Sequence, residues 1–469
     1  MTKPESAKAE PKKYWISDWN PEDAEFWKTT GKQIARRNLF WSILAEHIGF
    51  SVWLLWSVVT TRLPKLGFAY STDQLFTLVA VPGLVGALMR FPYTFAVPRF
   101  GGRNWTIVSA ALLLIPTTFL ALLVTNPATP FWLMVVAAAT AGLGGGNFAS
   151  SMANISFFFP DREKGYALGL NAAGGNIGVS TVQLLIPIAL GWPVLNLFMG
   201  KPQGPKHIFL QNAGLFWYPL IALALFGAIR YMNNLTSAKS TFKDQVVIAR
   251  RKDTWVMAWL YIGTFGSFIG YSAAFPLLLK TQFPEMTMNL AFLGALVGSV
   301  ARPLGGKLAD RIGGSRVTLW NFVAMGLATV GVIHFVHVHS FGGFLTMFLL
   351  LFVTTGLGNG STFRMIPVIF RKKHLQAVAG RGPEAERQAL NLARREAAAV
   401  LGFTSAIGAC GGYLIPRSFG ASIRATGGAE AALMGFLVFY VTCVALTWWF
   451  YVRRVAVPSS GGRLAEARV

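Results

Sequence analysis

Long apolar runs alternate with short polar segments along almost the whole chain. Most runs are close to the ~20 residues that an α-helix needs to cross a bilayer. The predicted spans are 38–61, 74–97, 104–125, 131–157, 166–190, 213–232, 255–279, 289–308, 317–338, 344–370, 396–416 and 430–452. A polar, basic stretch at 239–252 separates the first six runs from the second six. The pattern predicts an all-α polytopic membrane protein with 12 transmembrane helices in two six-helix halves.

The distribution of lysine and arginine predicts which helix ends face the cytoplasm. The basic residues that cluster on one side of the predicted helices include Arg36, Arg37, Arg99, Arg103, Arg162, Lys164, Lys307, Arg311, Arg316, Arg371, Lys372, Lys373, Arg453 and Arg454. Because short cytoplasmic loops are enriched in these residues, both termini are expected in the cytoplasm. We predict a cytoplasmic N-terminal segment, a first bundle, a cytoplasmic linker, a second bundle and a cytoplasmic tail at 1–37, 38–232, 233–254, 255–452 and 453–469.

Composition agrees with a membrane protein and excludes other classes. Of 469 residues, 53% are hydrophobic and 13% are charged, which is too apolar for a soluble globular protein. The net charge of +23 lies in short loops, so it indicates membrane topology and contact with anionic lipid instead of nucleic-acid binding. Cys410 and Cys443 lie in apolar runs without metal-ligand spacing. We expect no metal and no cofactor, and the sequence contains no nucleophile elbow or phosphate loop that would indicate an enzyme.

A run rich in Gly, Ala, Ser and Asn at 144–160 has a shorter copy at 356–363. Gly144 and Gly358 are 214 positions apart, close to half the chain, which indicates that the protein consists of two similar halves. Small residues let transmembrane helices approach closely, so these runs are expected to serve packing and relative movement of the helices. The residues that we assign to this conformational motif are Gly144, Gly145, Gly146, Asn154, Gly356, Gly358 and Gly360.

An arginine occupies the same place in each half. Arg90 precedes Gly101 by 11 positions, and Arg302 precedes Gly313 by 11 positions. The segment around the second glycine pair resembles the loop between the second and third helices of each half in the major facilitator superfamily. In that family, acidic and basic residues of this loop latch the cytoplasmic helix ends. The resemblance implies a cytoplasmic gate loop that contains Asp310 and Arg311.

Both arginines lie deep in apolar runs, which costs roughly 2.5–3.5 kcal/mol each even on the most permissive scale. Among the acidic residues, Glu46 alone lies well inside an apolar run, so the two guanidinium groups share at most one carboxylate partner. One interpretation is that each arginine reaches the membrane surface along its aliphatic stem. The paired positions favour a shared anion site between the halves. A guanidinium offers a planar fork of donors, so the preferred ligand is a small, planar anion.

Other side chains have the chemistry to complete such a site. Phe148 and Phe265 offer aromatic walls, Tyr261 offers a hydroxyl donor, and Asn176 offers an amide between glycines. Any one of these aromatic residues has an alternative role in ordinary packing, because the chain contains 37 Phe. An amide in hydrocarbon is costly without a partner, which favours a polar role for Asn176.

These motifs resemble the nitrate/nitrite porter family of the major facilitator superfamily, of the bacterial NarK type. The resemblance rests on 142–160 and its copy at 356–370, on Arg90 and Arg302, and on 18–23, 264–270, 280–284 and 401–409. It implies a monomeric inner-membrane carrier in the lipid bilayer that takes nitrate in and moves nitrite out by alternating access. It further implies that Arg90 and Arg302 hold the anion, that Phe148 and Phe265 sandwich it, and that Tyr261 and Asn176 complete the site.

Glu46 and His47 leave a second mechanism open. Two adjacent titratable groups in an apolar run suit a nitrate/proton symporter, because burial favours the uncharged carboxyl group. The alternative is a structural Glu46 that is hydrogen-bonded to a neighbouring helix. A nitrate-responsive sensor is a further alternative, although its output domain would have to fit in short tails. The segment 374–395 is interpreted as a solvated connector, with a cytoplasmic helix as the alternative.

Overall fold

The computed structural model describes residues 14–193, 202, 208–238, 248–286 and 288–453. Within these residues, twelve long helices follow one another. In chain order, α1 to α12 are Ala24–Val59, Thr72–Phe100, Gly102–Leu123, Phe131–Phe158, Asp161–Ala189, Asn212–Tyr231, Lys252–Gln282, Ala291–Ile312, Gly314–His337, Phe341–Ala377, Pro383–Thr426 and Glu430–Val452. Each of them contains or overlaps one predicted span, so the prediction of 12 helices is confirmed.

Eleven of these helices are long and apolar enough to cross a membrane by composition alone. The remaining one, α8, is 22 residues long and carries Arg302 followed by Pro303. Helices α1–α6 form one half and α7–α12 the other. The halves meet where α2 packs on α11, α5 on α8, and α1 on α7. This is the two-bundle fold that the sequence predicts.

The segment before the first predicted span is more structured than a surface lead-in. Asp23 caps α1, which begins at Ala24, well inside the predicted N-terminal segment 1–37. The short parallel strands β1, Trp15–Ile16, and β2, Asn234–Leu235, pair with each other. Nearby, the Trp27 indole donates to the Glu163 carboxylate at 2.8 Å. The segment therefore packs against the ends of α4 to α6. Residues 1–13, much of the predicted linker and most of the predicted tail lie outside the described residues.

The glycine motif packs helix backbones together in both halves. A Cβ on Gly144 would lie 2.2 Å from the carbonyl oxygen of Gly49 in α1, and one on Gly356 would lie 2.1 Å from that of Gly298 in α8. Asn154, near the end of α4, lies against the start of α3, since a Cβ on Gly102 would fall 1.8 Å from its Oδ1 atom. Side chains larger than hydrogen do not fit at these crossings, so the glycines are required for close approach.

Two segments that the sequence suggests as loops are helical. The segment 374–395 follows the helical alternative, because α10 continues to Ala377 and α11 begins at Pro383, although most of its side chains are exposed as a solvated connector requires. Gly380 and Gly382 have positive φ and form the short turn that separates the two helices. Asp310 and Arg311 are not in a loop either, since they belong to the last turn of α8. Asp310 forms an ion pair with Arg364 of α10, within the same half.

Candidate functional site

Arg90 lies in the interior of the molecule, at the contact between the two halves. Its side chain is fully buried. Nε donates to the Gly145 carbonyl at 3.2 Å, and Nη1 donates to the Ser405 carbonyl of α11 at 2.9 Å. Nη2 is buried and has no hydrogen-bond partner in the described part of the chain. Backbone carbonyls therefore offset part of the cost of burying this charge, and one donor stays unsatisfied.

Arg302 lies opposite Arg90, on α8 of the second half. It is 5% exposed, so it does not reach the membrane surface. Its Nη1 atom is buried and unpartnered among the described residues. The guanidinium carbon lies 5.5 Å from the centre of the Phe363 ring. Glu46 is not a direct partner of either arginine, because its carboxylate is bonded within the first half.

The Phe148 ring lies against both arginines. Its ring centre lies 4.6 Å from the guanidinium carbon of Arg90 and 5.7 Å from that of Arg302. Phe265, from the other half, lies nearly parallel to Phe148 with ring centres 6.0 Å apart. It also approaches Arg90 at 4.9 Å. Aromatic faces attract cations, so the two rings help to hold both guanidinium groups at one place.

An irregular helical turn in α7 determines the position of the Phe265 side chain. Residues Ile262–Gly266 form a single π-helical turn inside α7. Such turns are rare and are frequent at functional sites, because they shift the side chains that follow them. Tyr261, immediately before the turn, stacks on Phe265 with ring centres 5.4 Å apart. The hydropathy pattern contains no signal for this turn, so the sequence did not predict it.

Buried polar atoms without partners occur at four of the predicted site residues, although no contact among the described residues brings Asn176 to the arginines. The hydroxyl of Tyr261 and the Oδ1 atom of Asn176 are buried and have no hydrogen-bond partner within the described ranges. Nη2 of Arg90 and Nη1 of Arg302 share this property. Buried polar groups are normally paired. A polar ligand that accepts hydrogen bonds would satisfy the hydroxyl and both guanidinium donors.

The structure also places residues near the arginines that sequence reasoning missed. The Trp53 ring centre lies 5.5 Å from the guanidinium carbon of Arg90, and Phe363 contacts Arg302. Phe363 ends the second glycine-rich run, and this position in the sequence could have identified it as a site residue. The carbonyl of Ser405 was not predictable, because any residue supplies a carbonyl and only the tertiary fold brings this one to Arg90.

Glu46 and His47 lie away from direct contact with the arginines. One carboxylate oxygen of Glu46 accepts hydrogen bonds from Ser151 and from Asn171 Nδ2, while its other oxygen is unpartnered among the described residues. His47 Nδ1 lies 2.9 Å from the carbonyl oxygen of Gly174. Both side chains thus connect α1 to neighbouring helices of the first half. These contacts are the ones expected if Glu46 has a structural role and is hydrogen-bonded to neighbouring helices.

Ion pairs connect the two halves at both ends of their interface. At the end next to the α1–α2 connection, Asp73 of α2 pairs with Arg417 and Arg424 of α11, each at 3.1 Å. At the opposite end, Asp161 of α5 pairs with Arg394 of α11 at 2.8 Å. Because both arginines are buried, a ligand reaches the region between them, here called the arginine compartment, only if the halves separate at one of these ends.

Replacing Asp73 with asparagine is expected to favour opening at its end. Ion pairs that are partly exposed contribute ~0.2–1 kcal/mol each, so the open population should rise by about 1.4- to 5-fold for each pair that is lost. Maleimide labelling of a cysteine introduced at Ala80, which is buried two turns along the same face of α2, measures this change in a chain lacking Cys410 and Cys443. Glu285→Gln is the control, because Glu285 lies at the same end but faces His339 within its own half. Equal labelling of the Asp73 variant and the parent would contradict a gating role for the ion pair.

Comparison with known proteins identifies the family. The model of the Major Facilitator Superfamily matches residues 42–382. The nitrate/nitrite transporter NarU of Escherichia coli (strain K12) is 46% identical over 449 residues, which cover 94% of this chain and 97% of NarU. The probable nitrate/nitrite antiporter NarK2 of Thermus thermophilus is 38% identical, over 94% of this chain and 97% of its own.

A solved structure shows the same fold at low sequence identity. It is a bacterial homologue of the human lysosomal transporter Spinster, in an inward-facing and unoccupied conformation. The TM-score is 0.57 at 14% identity, and the match covers 89% of this chain and 97% of the other. At this identity the likeness concerns the fold alone. With the family model and the two relatives, it leads to one conclusion: the chain belongs to the major facilitator superfamily, in its nitrate/nitrite porter family.

Proposed function

We propose that this protein exchanges nitrate, taken in, for nitrite, moved out, across the bacterial inner membrane. In this proposal the anion binds between Arg90 and Arg302, and the two halves rock around it. One observation carries the proposal: arginines from opposite halves contact the same ring, Phe148, and each keeps a buried nitrogen without a partner in the described chain.

The shape of the compartment favours a small, flat anion. The Phe148 and Phe265 rings are nearly parallel, with an interplanar angle of 25°, and the Arg90 guanidinium packs against both of them. A planar anion that enters between or beside these rings presents its oxygens in plane to the guanidinium forks. Tyr261 adds a neutral donor beside Phe265, and the buried Asn176 amide is a further candidate for the site. A larger, tetrahedral anion can pair with an arginine fork, but it is too thick to lie flat beside the two rings.

The charges account for exchange. Without an anion, two buried positive charges from opposite halves repel each other, and this repulsion opposes the closed packing through which the halves must pass to reorient. A bound monovalent anion neutralises half of this charge, so the loaded carrier reorients more readily. Uptake of one anion then requires the release of another. The relatives are named nitrate/nitrite transporter and probable nitrate/nitrite antiporter, which supports these two anions as the pair. We place both termini in the cytoplasm and the working unit as a monomer.

Uptake of labelled nitrate into liposomes that contain the purified protein and internal nitrite tests the substrates. We expect uptake that saturates with external nitrate and is inhibited by external nitrite, with little inhibition by sulfate or phosphate at equal concentration. Inhibition by sulfate as strong as that by nitrite would contradict a site built for flat monovalent anions. Protein-free liposomes provide the background.

The symport alternative predicts a different result for Glu46→Gln. Under exchange, glutamine keeps hydrogen-bonding capacity toward Ser151 and Asn171, so nitrate/nitrite exchange should stay within about threefold of the parent. Under symport, loss of the titratable carboxyl should abolish uptake driven by a proton gradient. Exchange rates and gradient-driven uptake of the two proteins, measured in the same vesicles, decide between these mechanisms. Glu163→Gln, at the end of the bundle, is the control for loss of a carboxylate.

A further inference from the structure

Asn359 is a buried amide in the second glycine-rich run. It is 1% exposed, and neither its Oδ1 nor its Nδ2 atom has a hydrogen-bond partner in the described part of the chain. An amide with no partner in an apolar environment is destabilising, and native proteins contain few such groups. Neither the close packing of the glycines nor the proposed contacts of the six binding residues explain it.

The neighbouring glycines indicate which way Asn359 faces. Gly356 and Gly360 pack on the backbone of α8, since a Cβ on Gly360 would lie 2.1 Å from the Arg302 carbonyl oxygen. Gly358 packs toward α7 and α9, where a Cβ would lie 2.6 Å from Thr264 and 2.4 Å from Asn321. Successive helix positions differ by 100°. Asn359 therefore faces the space between α8 and α7.

Phe363 marks the same side of α10. It lies one helical turn after Asn359, so the two side chains share a face. The Phe363 ring centre lies 5.5 Å from the guanidinium carbon of Arg302 and 6.5 Å from the centre of the Tyr261 ring. The face that carries Asn359 thus borders the compartment of the two arginines.

The repeat makes this amide specific to the second half. Aligning 142–144 with 356–358 places Asn359 where the first half has Gly145. In the first half, the Gly145 carbonyl accepts a hydrogen bond from Arg90 Nε, and Ser405 occupies Nη1 of the same guanidinium. The second half adds a side-chain amide at the corresponding point. The compartment is therefore asymmetric, with an extra neutral donor beside Arg302.

We infer that Asn359 is a specificity-determining residue that donates a hydrogen bond from Nδ2 to one oxygen of the transported anion. This inference rests on the proposed function. Nitrate has three oxygens in one plane and nitrite has two, so an additional donor beyond the arginine forks favours the anion with the additional oxygen. Nitrate binding should therefore depend on Asn359 more strongly than nitrite binding.

Asn359→Leu tests this inference, because leucine has nearly the same size and no polar atom. Binding of nitrate and of nitrite to the purified full-length protein is measured by ligand-induced thermal stabilisation over a range of anion concentrations. We expect nitrate affinity to fall by about tenfold, the effect of one hydrogen bond to a charged ligand, while nitrite affinity stays within about threefold. The melting temperature without anion should not fall, because the substitution removes a buried amide that has no hydrogen-bond partner among the described residues.

The control is Asn321→Leu, which removes another buried amide that packs against Gly358, about 100° around α10 from Asn359. Its ratio of nitrate to nitrite affinity should match that of the parent. Asn359→Ala and Asn359→Ser carry the test if the leucine variant does not fold, and serine should restore part of the nitrate affinity that alanine loses. Unchanged nitrate affinity, or an equal loss for both anions, would overturn the inference. A parent protein that binds neither anion would instead refute the proposed function.

Discussion

Replacing Arg302 with lysine is expected to lower nitrate/nitrite exchange by about tenfold to a hundredfold. Lysine keeps the positive charge but loses the planar fork, and a hydrogen bond to a charged group contributes ~1.5–3 kcal/mol. Arg302→Gln, which also removes the charge, should abolish exchange. Arg302 is a better test than Arg90, because Arg90 also holds the Gly145 and Ser405 carbonyls and its loss would disturb packing between the halves.

The measurement for the Arg302 variants is the initial rate of labelled nitrate uptake into nitrite-loaded liposomes, normalised to the amount of inserted protein. Arg230→Lys is the control, because Arg230 is exposed on α6 and lies 5.5 Å from the Tyr231 ring, away from the other half. Exchange by Arg302→Lys at the parent rate and affinity would show that a point charge suffices and that the forked geometry has no role.

Gly356→Val is expected to cause a large loss of stability although it leaves both arginines unchanged. A Cβ on Gly356 would lie 2.1 Å from the Gly298 carbonyl oxygen and 3.0 Å from the Ala301 side chain. Because the nearest obstacle is backbone, α8 and α10 must separate, at a cost of about 1–3 kcal/mol or more. Arg302 lies on α8, so the separation should reduce exchange as well.

The melting temperature of the purified protein and the fraction that elutes as a single species after extraction measure this effect. Gly342→Val is the matched control, because Gly342 lies in the first turn of the same helix and a Cβ there would contact nothing within 4 Å. A Gly356 variant as stable as the Gly342 variant would contradict the interpretation that the glycine motif serves close helix packing.

The membrane helices and the central arginine pair could be predicted from sequence because both depend on strong, local signals. A helix needs about 20 apolar residues to cross a bilayer, and that requirement leaves a visible run. An arginine inside such a run is costly, and its repetition in the second half identified Arg90 and Arg302 as one site. The same reasoning left Glu46 as the one candidate carboxylate partner, whereas in the structure backbone carbonyls and aromatic faces contact the Arg90 guanidinium.

Other features depend on tertiary structure or on weak signals. The continuation of α10 and α11 through most of 374–395 was only the second interpretation, because charged residues on an exposed helix resemble those of a solvated loop. The π-helical turn at Phe265 has no hydrophobic signature. Asn359 was visible in the sequence, but only its burial without a described partner distinguishes it from a surface or packing residue.

The most direct test of obligate exchange is nitrate uptake into liposomes that contain nitrite, nitrate or neither anion, each with and without an imposed inward proton gradient. Obligate exchange, in which the halves reorient only when an anion is bound to the arginine pair, predicts uptake only when nitrite or nitrate is inside, at a rate that does not depend on the proton gradient. Uptake into anion-free vesicles that follows the proton gradient would contradict obligate exchange and assign the coupling to Glu46 and His47.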